Sequence, residues 1–207
     1  NHEIGAEIIA GNRKEKNRKL NDLYLNAWQS HLFNDWLTYR VGLSHIAKGF
    51  NGNELVQAIE HYTKGELDAK QVASDFKLQK SFFKLLKGDA LCHYPHGRIF
   101  EALDIAAEEA RFSEKLISPT GLLCGQKVAR ATLDARIMEQ KFDADTRMLD
   151  GSRRYAWIFI EKCESRYIEE NAHFEIAFNL PKGSYATSLL SELAGENFRG
   201  DLIDRDS

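Results

Sequence analysis

Apolar residues recur every third or fourth position over residues 22–41, where Leu25, Trp28, Leu32, Trp36 and Tyr39 form a stripe that Phe33 and Leu37 widen. That period lines one face of a helix, so the spacing predicts a helix buried over most of its girth. Asn21 or Asp22 can cap its start, Gly42 can end it, and no proline interrupts it. Uncharged Asn26, Gln29, Ser30 and Asn34 are interleaved with the bulky residues. Buried amides need partners, so these side chains are expected to bond to other backbone segments. A short helix is predicted over 54–62 and a longer one over 69–87 carrying Val72, Phe76, Phe83 and Leu86, with Lys64-Gly65 and Lys87-Gly88 as stops.

The period then changes. Residues 90–94 and 98–102 flank Pro95-His96-Gly97, the pattern of two strands joined by a turn. Asp104 is placed to cap a helix reaching about residue 116, and Ser118-Pro119-Thr120-Gly121 reads as a break. A further helix is predicted over 126–142 and a strand over 154–160. Phe174, Ile176, Phe178 and Leu180 alternate with Glu175, Ala177 and Asn179, the signature of a half-buried strand. Pro181-Lys182-Gly183 turns that strand, Ser184 can cap a last helix through 193, Gly195 can end it, and a polar, acidic tail follows. Helices and strands mix without regular alternation, so the fold class expected is α+β.

Composition narrows the classes. With 207 residues, 43% hydrophobic and 29% charged, the chain is long enough for one large domain or two small ones and is not a disordered polymer. Twenty-eight basic against thirty-one acidic residues give a net charge of −3, so a nucleic-acid partner must be met by a local patch. One such patch exists. In residues 11–20 (GNRKEKNRKL), Arg13, Lys14, Lys16, Arg18 and Lys19 oppose only Glu15. A solvated helix end and a set of phosphate contacts both fit this run, and composition does not choose between them. No apolar run approaches the ~20 residues of a membrane span. Cys92, Cys124 and Cys163 lack CxxC spacing, which suits reduced thiols in the cytoplasm. The chain opens on Asn1-His2-Glu3 with no initiator methionine, and a fragment is expected on that ground.

Catalytic signatures are missing. There is no GxGxxG after a strand, no phosphate loop, no GxSxG elbow and no HExxH. His93 and His96 straddle a predicted turn beside Cys92 with no second ligand pair, so no metal site is expected. Asp104, Glu108 and Glu109 at a helix start complement its dipole better than they form an acid pair. Nothing near Cys124 argues for an activated thiol.

Several strings nevertheless occur in a telling order. Asn17-Arg18-Lys19-Leu20 leads into Asn26-Ala27-Trp28-Gln29-Ser30-His31-Leu32-Phe33-Asn34; Gly88-Asp89-Ala90-Leu91 opens the predicted hairpin. Ile117-Ser118-Pro119-Thr120-Gly121-Leu122-Leu123-Cys124-Gly125, Asp150-Gly151-Ser152-Arg153-Arg154 and Leu180-Pro181-Lys182-Gly183-Ser184-Tyr185-Ala186-Thr187 follow. Over about residues 5–195 the chain resembles the TruD family of tRNA pseudouridine synthases. No single string is decisive; the QSxxFN, PTGxLxG and LPxGSYAT elements in sequence are specific together.

The resemblance implies a catalytic domain with a mixed sheet, interrupted by the insertion called the TRUD domain. Residues 1–11 would end the first catalytic part, 12–160 would be the insertion and 161–207 the returning catalytic segment. Family members isomerise uridine 13 in the D arm of tRNA and need no cofactor or metal. Gly183, Ser184, Tyr185, Ala186 and Thr187 would line the pocket for an everted base, with Gly183 allowing close approach; a plain strand-to-helix connection capped by Ser184 remains the other reading. Arg13, Lys14, Lys16, Arg18 and Lys19 would hold tRNA phosphates, with Arg153 and Arg154 as further candidates. The family's nucleophilic aspartate lies in a GxKDxxA-like string that these residues do not contain. The chain is therefore expected to lack turnover unless the N-terminal part of the same protein is supplied. A non-catalytic α+β module that binds RNA or protein is the alternative, and self-association stays open.

Overall fold

Helix α1 (His2–Ile9) packs along the start of α2 (Arg18–Gly49), whose 32 residues contain the predicted stripe. The computed structural model describes residues 1–144, 149–181 and 184–194. Helix α2 is longer than the pattern predicts at both ends. Asn17, not Asn21 or Asp22, caps it, its side-chain oxygen accepting from the amides of Lys19 (3.0 Å) and Leu20 (3.3 Å). Gly42 does not end it. The Tyr62 hydroxyl occupies the space a Gly42 side chain would need, and the next residues, Leu43 and Ser44, are buried. The close contact, rather than chain termination, accounts for this glycine.

Helix α3 (Gly52–Thr63) stops where predicted, with Lys64 and Gly65 at φ 55° and 71°. Asp68 caps α4 (Ala69–Lys77), accepting from the amides of Lys70 and Gln71, both at 3.1 Å. The predicted continuation to residue 87 does not form. Side chains take the amides instead: Glu109 accepts from Lys80 (2.9 Å) and Ser81 (2.8 Å), Ser44 from Lys84 (3.0 Å) and Gln79 from Leu85 (2.6 Å). Phe83, Leu85 and Leu86 are still buried, so the apolar residues reach the core without the helix. That core gathers Leu43, Leu55, Ile59, Val72, Phe76 and Met138 among others.

The predicted hairpin is present as β1 (Ala90–His93) and β2 (Ile99–Glu101), paired antiparallel. Asp104 caps α5 (Ile105–Ser113) through the Ala107 amide at 3.1 Å, ending a turn earlier than predicted. The supposed break at 118–121 is instead part of β3 (Ile117–Leu123), an inner strand of a sheet ordered β2-β1-β3-β4, with β4 at Ser152–Tyr155. Turn-type residues serve here because Gly121 must lie flat against α2: a Cβ would strike the Trp36 and Phe33 rings. Helix α6 (Leu133–Glu139) and a short 3-10 turn (Gln140–Phe142) replace the longer predicted helix. The pairings in this sheet are antiparallel, with an isolated parallel bridge between Gln126 and Asp150 beside it. These elements form one unit, Asn1–Trp157.

The second unit, Ile158–Ser207, contains β5 (Glu161–Ile168) antiparallel to β6 (His173–Asn179), then α7 (Ala186–Ala194). The strand predicted over 154–160 is really the end of β4, and β5, whose polar sequence hides it, was not predicted. In β6 the alternation is real but incompletely covered, with Ile176 and Phe178 half-buried and Phe174 60% exposed. Lys182, Gly183, Gly195 and the tail lie outside the described residues. The architecture is α+β.

One interaction joins helix, loop and sheet. The Arg40 guanidinium, 1% exposed, forms a fork on Asp89 at 2.6 and 2.8 Å and donates to the Lys84 carbonyl at 2.9 Å. Asp89 also accepts from the Leu86 amide at 2.8 Å, and the Arg40 guanidinium lies over the Trp36 ring at 5.5 Å and the Phe83 ring at 5.1 Å. Removing one partner of a buried pair strands the other charge, so Asp89→Ala is expected to lose about 3–5 kcal/mol of stability in denaturant titration. Arg40→Ala should lose a similar amount.

Candidate nucleic-acid interface

The basic run lies in the connection between α1 and α2. The Arg13 amide bonds back to the Glu7 carbonyl at 3.2 Å, Glu15 accepts from the Asn17 amide at 2.8 Å, and Asn17 then starts α2. This leaves Arg13, Lys14 and Lys16 exposed in the connection and Arg18 and Lys19 exposed in the first turn of α2. Arg13 meets Glu7 at 3.5 Å, both largely exposed, a pair too weak to immobilise it. The first turn of α2 has no acidic residue. Cations therefore sit at the positive end of a long helix, a placement the dipole disfavours and an anion would offset.

The two arginines of β4 are held differently. Arg153 turns inward, its side chain 5% exposed: it donates to Glu139 at 2.6 Å, to the Thr120 carbonyl at 2.7 Å and hydroxyl at 3.1 Å, and to the Ala129 carbonyl at 3.2 Å. Burial pulls its pKa down against the pull of Glu139. The Arg153 side chain is thus occupied inside the protein, unlike the exposed cations between α1 and α2. Arg154 is half-buried over the Phe33 ring at 5.1 Å, with one nitrogen 3.4 Å from the Ser30 hydroxyl.

The same turn of chain absorbs three of the strings that carried the resemblance. Gln29, buried on α2, donates to the Cys124 carbonyl at 2.6 Å and the Asp150 carbonyl at 3.3 Å. Gly125 and Gly151 let those loops approach, since a Cβ on Gly125 would meet the backbone at Leu149 and Asp150. So Gln29 bonds to other backbone segments as expected, Ser30 meets a side chain instead, and Asn26 and Asn34 are exposed. Burial pushes the Cys124 thiol pKa up, the reverse of activation. The Asp150 carboxylate is exposed and pairs with Lys127 at 3.3 Å.

Of the expected pocket residues, Gly183 lies outside the described residues. Ser184 and Ala186 are half-buried, and Tyr185 is 67% exposed at the start of α7. The Ser184 amide bonds to the Pro181 carbonyl at 3.1 Å and the Ser188 amide to the Tyr185 carbonyl at 3.1 Å, a turn that presents the tyrosine ring rather than packing it. These residues belong to the second unit, and the basic turn belongs to the first. Among the described residues no cluster of three or more His, Cys, Asp or Glu is arranged to hold a metal ion, and no helix is long and apolar enough to cross a membrane.

The family model for tRNA pseudouridine synthase D (TruD) matches residues 9–193. The chain belongs to the TruD family. It is 44% identical over 201 residues to tRNA pseudouridine synthase D of Nitratiruptor sp., covering 97% of this chain and 54% of that protein. It is 43% identical over 195 residues to the Sulfurimonas denitrificans protein of the same name, covering 94% and 52%. The chain thus spans about half the length of the curated relatives it matches. A crystal structure assigned to tRNA pseudouridine synthase D from Methanosarcina mazei aligns with a TM-score of 0.48 at 16% identity, over 92% of this chain and 56% of that one.

Within this TruD chain, the roles assigned to the two neighbouring arginines separate experimentally. Arg153→Ala should lower stability by about 3 kcal/mol, because Glu139 is left buried without its main partner. A melt and a nucleic-acid titration over a range of salt would show a reduced Tm with an unchanged salt slope.

Proposed function

We propose that this chain is the tRNA-gripping and pocket-completing part of a tRNA pseudouridine synthase acting on uridine 13 of the D arm. The observation that carries the reading is the family match across residues 9–193, with relatives named tRNA pseudouridine synthase D at 44% and 43% identity. The exposed basic turn supports it. Five cations on a net-negative chain concentrate attraction for a polyanion at one place. Folded RNA offers few readable base edges, so contacts of this kind recognise shape and backbone.

The reaction breaks the bond between the ribose carbon and N1 of uracil, turns the detached base, and joins the same ribose carbon to C5; C5 gives up its proton and N1 ends carrying one, so the change is an isomerisation. A nucleophilic aspartate must hold the sugar meanwhile, and the base must be everted at a cost of a few kcal/mol. Within these 207 residues the GxKDxxA-like string is absent. The proposal therefore assigns the aspartate to a preceding part of the protein, and this chain to wall and grip. Ser184, Tyr185, Ala186 and Thr187, with Gly183, are proposed to flank the everted base, Tyr185 offering an exposed ring for stacking.

The three-part organisation belongs to the same proposal: 1–11 ending the first catalytic part, 12–160 as the TRUD insertion and 161–207 as the returning segment. The division of the chain after Trp157 supports the second boundary. The expected work site is the cytoplasm, where tRNA is processed, with no cofactor required.

Two measurements test this reading. Mixing the chain with the preceding part of the protein should yield pseudouridine in a tRNA transcript, while either piece alone gives none; product from this chain alone would overturn the assignment of the aspartate. Charge reversal of Arg13, Lys14 and Lys16 together should weaken tRNA binding and lower the slope of log affinity against log salt by about 2, at roughly 0.7 per lost phosphate contact. An unchanged slope would remove the basic turn from the interface.

A further inference from the structure

The hairpin at the far edge of the sheet carries a second arrangement of cations that the family strings do not touch. Register places His93 opposite Arg98, since Cys92 pairs with Ile99 and the His93 amide donates to the Arg98 carbonyl at 3.2 Å. Opposite residues share a face of the sheet, as do residues two apart. His93, Arg98 and Phe100 therefore lie on one face, and the His93 and Phe100 rings are 4.7 Å apart.

Helix α5 adds Arg111 to that face. Its guanidinium lies over the Phe100 ring at 4.9 Å, donates to Glu108 at 2.8 Å, and has a nitrogen 3.2 Å from His93 Nδ1. A guanidinium can only donate, so Nδ1 accepts and the proton of the neutral ring is on Nε2. The exposed His93 ring thus offers an N–H. The Tyr94 amide bonds to the Leu116 carbonyl at 2.9 Å, which brings Lys115 beside the end of the hairpin. The turn itself is held by Gly97 donating to the His93 carbonyl at 2.7 Å and by the Tyr155 hydroxyl bonding to the Pro95 carbonyl.

Around this tip the exposed polar groups are mostly donors. Arg98 and Lys115 are exposed and make no ion pair among the described residues, and His96 is exposed in the turn. Of the two nearby acids, Glu108 is taken by Arg111, and Glu114 stands at the C-terminal cap of α5. An aromatic-backed guanidinium held from three sides loses little freedom on meeting a ligand, the condition under which arginine serves nucleic-acid contacts.

The position argues for an extended polyanion. The sheet meets α2 where Gly121 lies against Phe33 and Trp36, roughly 22–27 Å along the helix axis from Arg18 at 1.5 Å per residue. No small anion reaches from the basic turn to the sheet, whereas a folded RNA does. We propose that the β1–β2 hairpin tip, through Arg98, Lys115 and the Arg111–His93–Phe100 stack, is a second RNA-backbone contact separate from the turn at 13–19. This rests on the tRNA reading above.

Fluorescence titration of an unmodified tRNA transcript into this chain tests it. Arg98→Glu should weaken binding by about fivefold at 0.1 M monovalent salt, the counterion-release value of one single-stranded phosphate contact, and should lower the salt slope by about 0.7. Glu114→Gln removes a repulsive charge and should tighten binding, a gain that misfolding cannot imitate. Backbone footprinting should then show protection in a tRNA segment that Arg98→Glu exposes and the Arg13, Lys14 and Lys16 reversal does not. If tRNA binds and responds to the basic turn while both hairpin variants leave affinity unchanged, this contact is overturned and the tRNA reading stands. If the chain binds no tRNA at any salt, both fall.

Discussion

The fork between Arg40 and Asp89 is the constraint around which the first unit is arranged. It bridges a residue in the second half of α2 and the residue just before β1, and both side chains are buried. A buried pair of this kind contributes little by itself, because two desolvated ions roughly cancel their attraction. Its effect is on register. Asp89 accepts from Arg40 and from the Leu86 amide, so the chain over 84–89 has one way to leave the core and enter the sheet. Once β1 is set, β3 follows by pairing, with Leu91 opposite Pro119, and Gly121 is then delivered to the Trp36 ring. Helix, loop and sheet are thus fitted by a polar contact inside an apolar stripe.

This arrangement explains what could be read from the sequence and what could not. The period of α2, the hairpin around Pro95-His96-Gly97 and the alternation of β6 follow from local spacing, and all three are present. The misreadings share a cause: a local rule overridden by a distant partner. Residues 78–87 have helical composition, yet Glu109, Gln79 and Ser44 accept their amides. Ser118-Pro119-Thr120-Gly121 reads as a turn, yet an aromatic wall on α2 requires a strand without a side chain at Gly121. Gly42 reads as a stop, yet it is a seat for the Tyr62 hydroxyl. None of these partners is within a helical turn of the residue it governs. β5 is a different case, a strand so exposed that it has no buried face to print a pattern.

The candidate interface residues were legible to the same degree. Charge density exposes the basic run because its five cations fall within seven residues, and the structure leaves them outside. Spacing cannot say which of two adjacent arginines points inward. Arg153 and Arg154 are separated by the pleat of β4, which sends one to Glu139 and the other to Phe33. The hairpin cluster was hidden for the opposite reason. His93, Arg98 and Arg111 are spread over 19 residues, and only strand register and the return of α5 bring them together.

Two kinds of polar residue therefore coexist, and energetics separates them. Glu139, Asp89 and Gln29 are partnered inside the protein, as is one carboxylate oxygen of Glu109, and their loss is felt as stability. Arg13, Lys14, Lys16, Arg18 and Lys19 gather like charge at the positive end of a helix, an arrangement that costs stability in the free protein. Folding alone gives no reason for it. The strings that carry the family resemblance mostly belong to the first kind: Gln29, Gly121, Gly125 and Asp89 shape the scaffold. The charges the fold does not neutralise are the ones proposed to meet a ligand, and a bound polyanion would reverse their cost.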